Sequence, residues 1–176
     1  MFKKNVILFG GTGSLGKVVL DKLINENFNI IYSSTSKKKL IENKKKFKNN
    51  LNEIIGLRCD LSDEKNIKYI IKTALRKFKK IDYVINCSGI FYYDQLKKIN
   101  NKTLFETFKV NTFSTILINK YIEKFKKKNH LIKIITCGSS SAVIGSKDTI
   151  SYCSSKHALL GAIKALNQTI YKKKNN

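Results

Sequence analysis

Five short β-rich runs, each followed by a longer helical stretch, are the feature that most narrows the folds open to this chain. The runs are Asn5–Phe9, Asn29–Ser34, Ile54–Arg58, Tyr83–Asn86 and Ile132–Cys137. Helical patterns occupy Leu15–Asn25, Lys37–Lys48, Asp63–Phe78, Lys102–Lys127 and Ser151–Tyr171. Val6-Ile7-Leu8-Phe9 and Ile132–Ile135 carry little polar interruption, as strands covered on both faces do. Alternation of this kind predicts an α/β fold, a doubly wound parallel sheet that takes ligands beyond the carboxyl ends of its strands. No linker or internal repeat breaks the pattern, so residues 1–176 read as one domain with tails at Met1–Lys4 and Lys172–Asn176.

Composition removes several function classes. With 176 residues, 42% of them apolar, the chain can bury a real core and is not disordered. No apolar run approaches the roughly 20 residues that span a bilayer, so no membrane association is expected. Met1–Phe9 runs straight into Gly10-Gly11 without a cleavage site, which reads as a strand and not a signal peptide, and the cytoplasm is the expected location. The net charge of +23 comes almost entirely from lysine, with Arg58 and Arg76 the two arginines. Lys, Asn and Ile make up 75 of the 176 residues and share A/T-rich codons, whereas the absent Pro and Trp need G or C. Codon bias thus accounts for the charge as a solvated lysine surface. Base and phosphate readers favour arginine forks, and no specific nucleic-acid partner is expected. Cys59, Cys87, Cys137 and Cys153 form no CxxC and read as buried free thiols in a reducing compartment. His130 and His157 are isolated and read as surface residues, and no metal site is expected.

Gly10-Gly11-Thr12-Gly13-Ser14-Leu15-Gly16 follows the first strand and opens the first helix. Glycines at this spacing allow a tight turn, a close backbone approach to a pyrophosphate and helix–strand packing without an intervening Cβ. The freed N–H groups and the helix dipole then favour an anion, so the turn reads as a dinucleotide site, against a purely structural turn. About 20 residues on, where NAD-selective sites place a carboxylate, the chain instead reads Ser33-Ser34-Thr35-Ser36-Lys37-Lys38-Lys39, with no acid before Glu42. Hydroxyls such as those of Thr35 and Ser36, beside the lysine run, can accept a 2′-phosphate. NADP is therefore the expected cofactor, with NAD the alternative. Asp60-Leu61 ends the third strand, where Asp60 can read an adenine amino group or start the turn before a Ser62 cap; the two roles are compatible. Asn86-Cys87-Ser88-Gly89 ends the fourth strand and can line a cofactor.

The last segment carries the chemistry. Tyr152-Cys153-Ser154-Ser155-Lys156 places a phenol and an ammonium one helical turn apart, 13 residues after Ser139. Four-three stepping from Tyr152 meets Lys156, Leu159, Ile163, Leu166 and Ile170, so both polar groups extend an inward apolar stripe. Burying an unpaired ammonium is costly. Beside a phenol it favours the phenolate and makes a better proton donor of a group that ordinarily titrates near ~10. The competing reading is an amphipathic helix with a snorkelling lysine. On the preceding helix the row Leu104, Phe108, Asn111, Thr115, Ile118, Ile122 and Phe125 sets one amide, Asn111, among core positions, where it must be hydrogen-bonded, or serve a kink.

Together these residues resemble the short-chain dehydrogenase/reductase family over Asn5 to about Tyr171. Gly10–Gly16 is similar to its cofactor loop, Asp60-Leu61 to its adenine contact and Asn86–Gly89 to its N-N-A-G; Asn111, Ser139, Tyr152 and Lys156 are similar to its catalytic tetrad. The resemblance implies a Rossmann-like fold and hydride transfer between NADP(H) and a small carbonyl or alcohol. Tyr152 would be the general acid/base, and Lys156 would hold the nicotinamide ribose. Ser139 would hydrogen-bond the carbonyl, and Asn111 would keep a water that links Lys156 to solvent. The final helix would pair subunits into a homo-oligomer. Three departures stand out. Ser14 replaces a glycine common in relatives, as in the nucleotide-sugar branch, although the Ser139–Tyr152 spacing and Asn86–Gly89 follow the single-domain reductases. Cys87-Ser88 replaces Asn-Ala. The family's last strands and substrate loop are expected to be missing, which leaves open a truncated nucleotide-binding remnant that needs a partner.

Overall fold

The computed structural model describes residues 3–172. The expected tails fall largely outside that range. The chain groups into two compact units: residues up to Ser88 together with Tyr121–Cys137, and Gly89–Lys120 together with the stretch from Gly138.

The first unit holds a parallel sheet of β1 (Asn5–Phe9), β2 (Asn29–Ser34), β3 (Ile54–Arg58), β4 (Tyr83–Asn86) and β5 (Lys133–Thr136). Its order is β3-β2-β1-β4-β5, the doubly wound pattern expected from the alternation. Successive strands are joined by α1 (Ser14–Asn25), α2 (Lys37–Lys46) and α3 (Glu64–Phe78). Val6, Leu8, Ile30 and Tyr32 form one buried face with Leu20 of α1. Ile7, Phe9 and Ile31, offset by one residue, are as fully buried, and α3 contributes Ile67, Ile70, Ile71 and Ala74. Period-two strands buried on both sides have no polar face, which is why β1 reads as an unbroken apolar run. β5 is shorter than the expected Ile132–Cys137 and does not share this burial. Among the described residues it pairs only with β4, and Ile135 is 48% exposed.

Polar side chains tie the amino ends of these strands. Asn5 N–H donates to Asp82 Oδ2 at 2.9 Å and Asp82 N–H to the Asn5 carbonyl at 2.9 Å. Asn29 Nδ2 donates to Asn5 Oδ1, and Lys80 pairs with Asp82 at 3.0 Å. His130, expected on the surface, is half-buried with Nε2 2.7 Å from the Ile81 carbonyl, because it seats the turn that precedes β5. Helix starts follow side-chain chemistry with one correction. Asp63, not Ser62, caps α3 by accepting from Lys65 N–H, while Ser62 N–H is taken by Asp60.

The second unit begins where β4 leaves the sheet. It contains α4 (Asn101–Phe108), most of α5 (Ser114–Phe125) and α6 (Ile150–Lys172). The single helix expected over Lys102–Lys127 is therefore two. A π turn at Lys109–Phe113 separates them, and Asn111 sits at its centre. One extra residue in a turn re-aims the side chains around it, and such turns concentrate at functional sites.

Burial raises the pKa of the Asp82 carboxyl, but the Asn5 N–H and the Lys80 ammonium outweigh it and hold the group below the usual carboxylate range. Its contribution to stability is present above the unfolded value near ~4 and is lost as pH falls through the folded value. Asp82→Ala should cost about 1–3 kcal/mol at pH 7. Urea denaturation at pH 7 and again near pH ~3 should find the gap between variant and parent narrowed in acid.

Candidate active site

In the first unit, the turn after β1 is shaped by backbone contact. Gly10 has φ +74°, in the left-handed region, and a Cβ there would lie 2.7 Å from Ser88 Oγ. A Cβ on Gly16 would come within 2.0 Å of the Gly10 carbonyl oxygen. The turn is tied to the end of β2: Gly10 N–H donates to Ser33 Oγ, Gly11 N–H to the Ser33 carbonyl, and Thr12 Oγ1 lies 2.5 Å from Ser34 Oγ. Helix α1 starts at Gly13 with no side-chain cap and no acid in its first turn. Its first N–H groups are thus open to an anion. Ser14 and Leu15 are exposed at this end, and the serine in place of glycine is accommodated as the first helical residue.

Beyond β2 the expected hydroxyl cluster divides in two. Ser33 and Ser34 are buried and spent on the turn, whereas Thr35 is exposed and Ser36 caps α2 by accepting from Lys39 N–H. Lys39 Nζ donates to the Thr12 carbonyl at 3.0 Å, which brings a lysine of α2 onto the glycine turn. The Asp60 carboxylate is engaged by Ser62 N–H, so it serves the turn after β3, and Leu61 beside it is buried. Asn86 Oδ1 accepts from Ser88 N–H at 3.0 Å. Ser88 Oγ, next to Gly10, is buried without a hydrogen-bond partner among the described residues. Cys87 and Cys137 are half-buried with sulfurs 3.4 Å apart. Burial and then Cys137 push the Cys87 thiol up to about 12, so it stays protonated at neutral pH. Cys59 and Cys153 are buried as expected.

In the second unit, Asn111, Lys156 and Gly89 converge. Asn111 Oδ1 accepts from Ile90 N–H at 2.8 Å while its Nδ2 donates to the Ile90 carbonyl and to Ser155 Oγ, both at 3.0 Å. Both amide hydrogens are committed, and the side chain clamps the segment after β4 to α6. A Cβ on Gly89 would meet Asn111 Oδ1 at 3.4 Å and Lys156 Nζ at 3.7 Å, so the glycine leaves room beside the ammonium. Lys156 is 4% exposed, and its Nζ stands 5.7 Å from the centre of the Tyr152 ring. Leu159, next on the stripe, is also buried, whereas Ile163, Leu166 and Ile170 are only half-buried. His157 is exposed, and its Nδ1 lies 2.9 Å from the Cys153 carbonyl. Ser139 opens a 3₁₀ turn, Ser140–Ala142, that packs on α6, and its Oγ accepts from Ser141 N–H. That acceptor role leaves the Ser139 hydroxyl proton free to donate.

Three neighbours carried no motif: Phe91, whose ring meets Tyr152 edge-on at 4.9 Å; Ser155, which anchors Asn111; and Asp94, bonded to Ser151. For Asp94 a signal existed, since it is the one carboxylate between Asp82 and Glu106 in a strongly cationic chain.

The doubly wound parallel sheet and the uncapped helix after its glycine turn define the class as a dinucleotide-binding α/β protein. The sequence model of the short chain dehydrogenases matches residues 4–174, and the chain belongs to that family. It is 26% identical over 170 residues to a diacetyl reductase [(S)-acetoin forming] of Staphylococcus epidermidis, covering 96% of this chain and 65% of that protein. It is 30% identical to a 3-oxoacyl-[acyl-carrier-protein] reductase FabG of Buchnera aphidicola, covering 93% of this chain and 66% of that one. The chain thus spans just under two thirds of the length of these relatives. The structure of ElxO with NADP bound superposes with a TM-score of 0.82 at 26% identity, over 91% of this chain and 65% of that one. A short chain dehydrogenase/reductase from Burkholderia phymatum in complex with NAD gives 0.85 at 19% identity, over 98% and 62%. Among the described residues no helix is long and apolar enough to cross a membrane.

Gly16→Ala should lose about 2 kcal/mol or more in urea denaturation, because the Gly10 carbonyl it meets is backbone and cannot step aside. Gly161→Ala, with nothing within 4 Å, serves as the control and should match or exceed the parent.

Proposed function

We propose that this chain is an NADP(H)-dependent oxidoreductase that interconverts a small carbonyl and its alcohol, with Tyr152 as general acid/base. The observation that carries the reading is the almost fully buried Lys156 beside the Tyr152 ring, on a helix clamped to Asn111. An ammonium in that position is hard to explain by packing alone. The glycine turn supports nucleotide binding: α1 has no side-chain cap, and Ser88 Oγ beside Gly10 is buried without a hydrogen-bond partner among the described residues.

Thr12, Gly13, Ser14, Leu15 and Gly16 would hold the pyrophosphate, Leu61 and Asp60 the adenine, and Asn86, Ser88 and Gly89 the chain of the nucleotide beyond it. A bound nicotinamide supplies or accepts the hydride. In reduction, Ser139 Oγ–H donates to the substrate oxygen as charge develops there, and that oxygen takes the proton of Tyr152 Oη. Lys156 would hold the ribose, and its ammonium, 5.7 Å from the centre of the Tyr152 ring, would stand beside the charge left on the phenol oxygen. Because the Asn111 amide hydrogens are committed, a water relaying protons to Lys156 would be held by a π-turn carbonyl. Thr35, Ser36 and the lysines that open α2 favour a 2′-phosphate, with no acid there to repel it.

Tyr152→Phe should reduce carbonyl turnover at least 1,000-fold, roughly 4 kcal/mol in the barrier, with the Kd for NADPH within twofold of the parent. Turnover left intact would remove Tyr152 from the chemistry. A parent that binds NADPH, as a raised melting temperature, yet reduces no carbonyl in a broad panel would be a nucleotide-binding protein instead. Lys37→Glu/Lys38→Glu should weaken NADPH at least tenfold and leave NADH almost unaffected, read by titrating both nucleotides. A parent that prefers NADH would overturn the cofactor assignment.

A further inference from the structure

Residues 90–94, which follow Gly89, meet Asn111, Tyr152 and Ser151. Ile90 is bonded through both backbone groups to Asn111, Phe91 lies edge-on to Tyr152, and Asp94 reaches the residue before Tyr152. Asp94 is 6% exposed; its Oδ2 accepts from Ser151 N–H at 2.8 Å and from the Ser151 hydroxyl in a second, short bond. Its own N–H donates to the Asp148 carbonyl at 2.8 Å, and it forms an isolated parallel bridge with Thr149. Asp148 takes φ +55°, a left-handed conformation that a non-glycine residue adopts at a cost. Thr149 in turn accepts from Cys153 N–H, the first backbone bond of α6. Asp94 therefore grips the start of α6 through both backbone and side chain.

Economy of folding does not explain a carboxylate here. Its second oxygen, Oδ1, is buried with no hydrogen-bond partner among the described residues, an arrangement that costs free energy. A serine or asparagine could cap the helix without burying a charge. What the carboxylate adds is a strong double bond to one residue whose neighbour is Tyr152. With α6 carrying no acid in its first turn, it is also the negative charge that the helix start favours.

We infer that Asp94 is a positioning residue for Tyr152: it fixes the first turn of α6 against residues 90–94 and so sets the direction of the phenol. The inference rests on Tyr152 being the proton-transfer group. Asp94→Ala should speed amide exchange at residues 150–154 at least tenfold without a like change in α4. It should also move or broaden the Tyr152 ring signal in a tyrosine-labelled NMR spectrum, assigned by its loss in Tyr152→Phe. The same variant should lower kcat at least tenfold with KM for NADPH within twofold. Asp94→Asn, which keeps an acceptor for both Ser151 groups, should recover most of each effect. An unchanged Tyr152 signal and kcat in Asp94→Ala would overturn the inference, as would losses in Asp94→Asn equal to those in Asp94→Ala. Should Asp94→Ala fail to fold, Ser151→Ala removes one of the two bonds, and the same readouts decide. If the parent reduces no carbonyl, the enzymatic reading falls, while exchange and NMR still settle whether Asp94 holds the helix start.

Discussion

The amide of Asn111 is the constraint on which the second unit depends. Its oxygen and nitrogen close a ring with both backbone groups of Ile90, and its remaining hydrogen reaches Ser155. Thr112, next in the chain, donates its hydroxyl to the Ser155 carbonyl. An ordinary α-helix would carry these two side chains around the cylinder 100° apart. The π turn widens the helix locally, so both engage α6 at one residue. A buried, fully bonded amide costs little, whereas its truncation would strand Ile90 N–H and C=O together. The clamp explains how three stretches distant in the chain reach one place.

Much of this was legible in the residues. Four of the five strands have the bounds read from their runs, because Val, Ile, Leu and Tyr between glycine, asparagine and aspartate punctuation leave little latitude. Lys156 and Leu159 lie on the inward stripe that four-three stepping drew. The period failed at residues 109–113, since a π turn advances the face by a residue that no composition announces. β5 looked doubly buried from the run Ile132–Ile135, yet apolar character reports what a strand tolerates and not what covers it.

Loop partners were the other blind spot. A cap before α3 declared itself by type and place, although at Ser62, one residue before the Asp63 that provides it. Phe91 and Asp94 did not, because their partners lie some 60 residues on and no local spacing connects them. The split of the Ser33–Ser36 hydroxyls was equally hidden: strand alternation cannot say which serine a neighbouring turn will consume.

The lysines that open α2 have a consequence for kinetics. Lys37, Lys38 and Lys39 stand exposed at a helix end with no acidic residue in that turn, on a molecule of net charge +23. A field of one sign draws anions in from beyond contact range and accelerates encounter. Ions at physiological strength shrink that reach to about 8 Å. On the proposed function, capture of a nucleotide would be set partly by the saltiness of the surroundings, through the rate of arrival more than the tightness of the final fit.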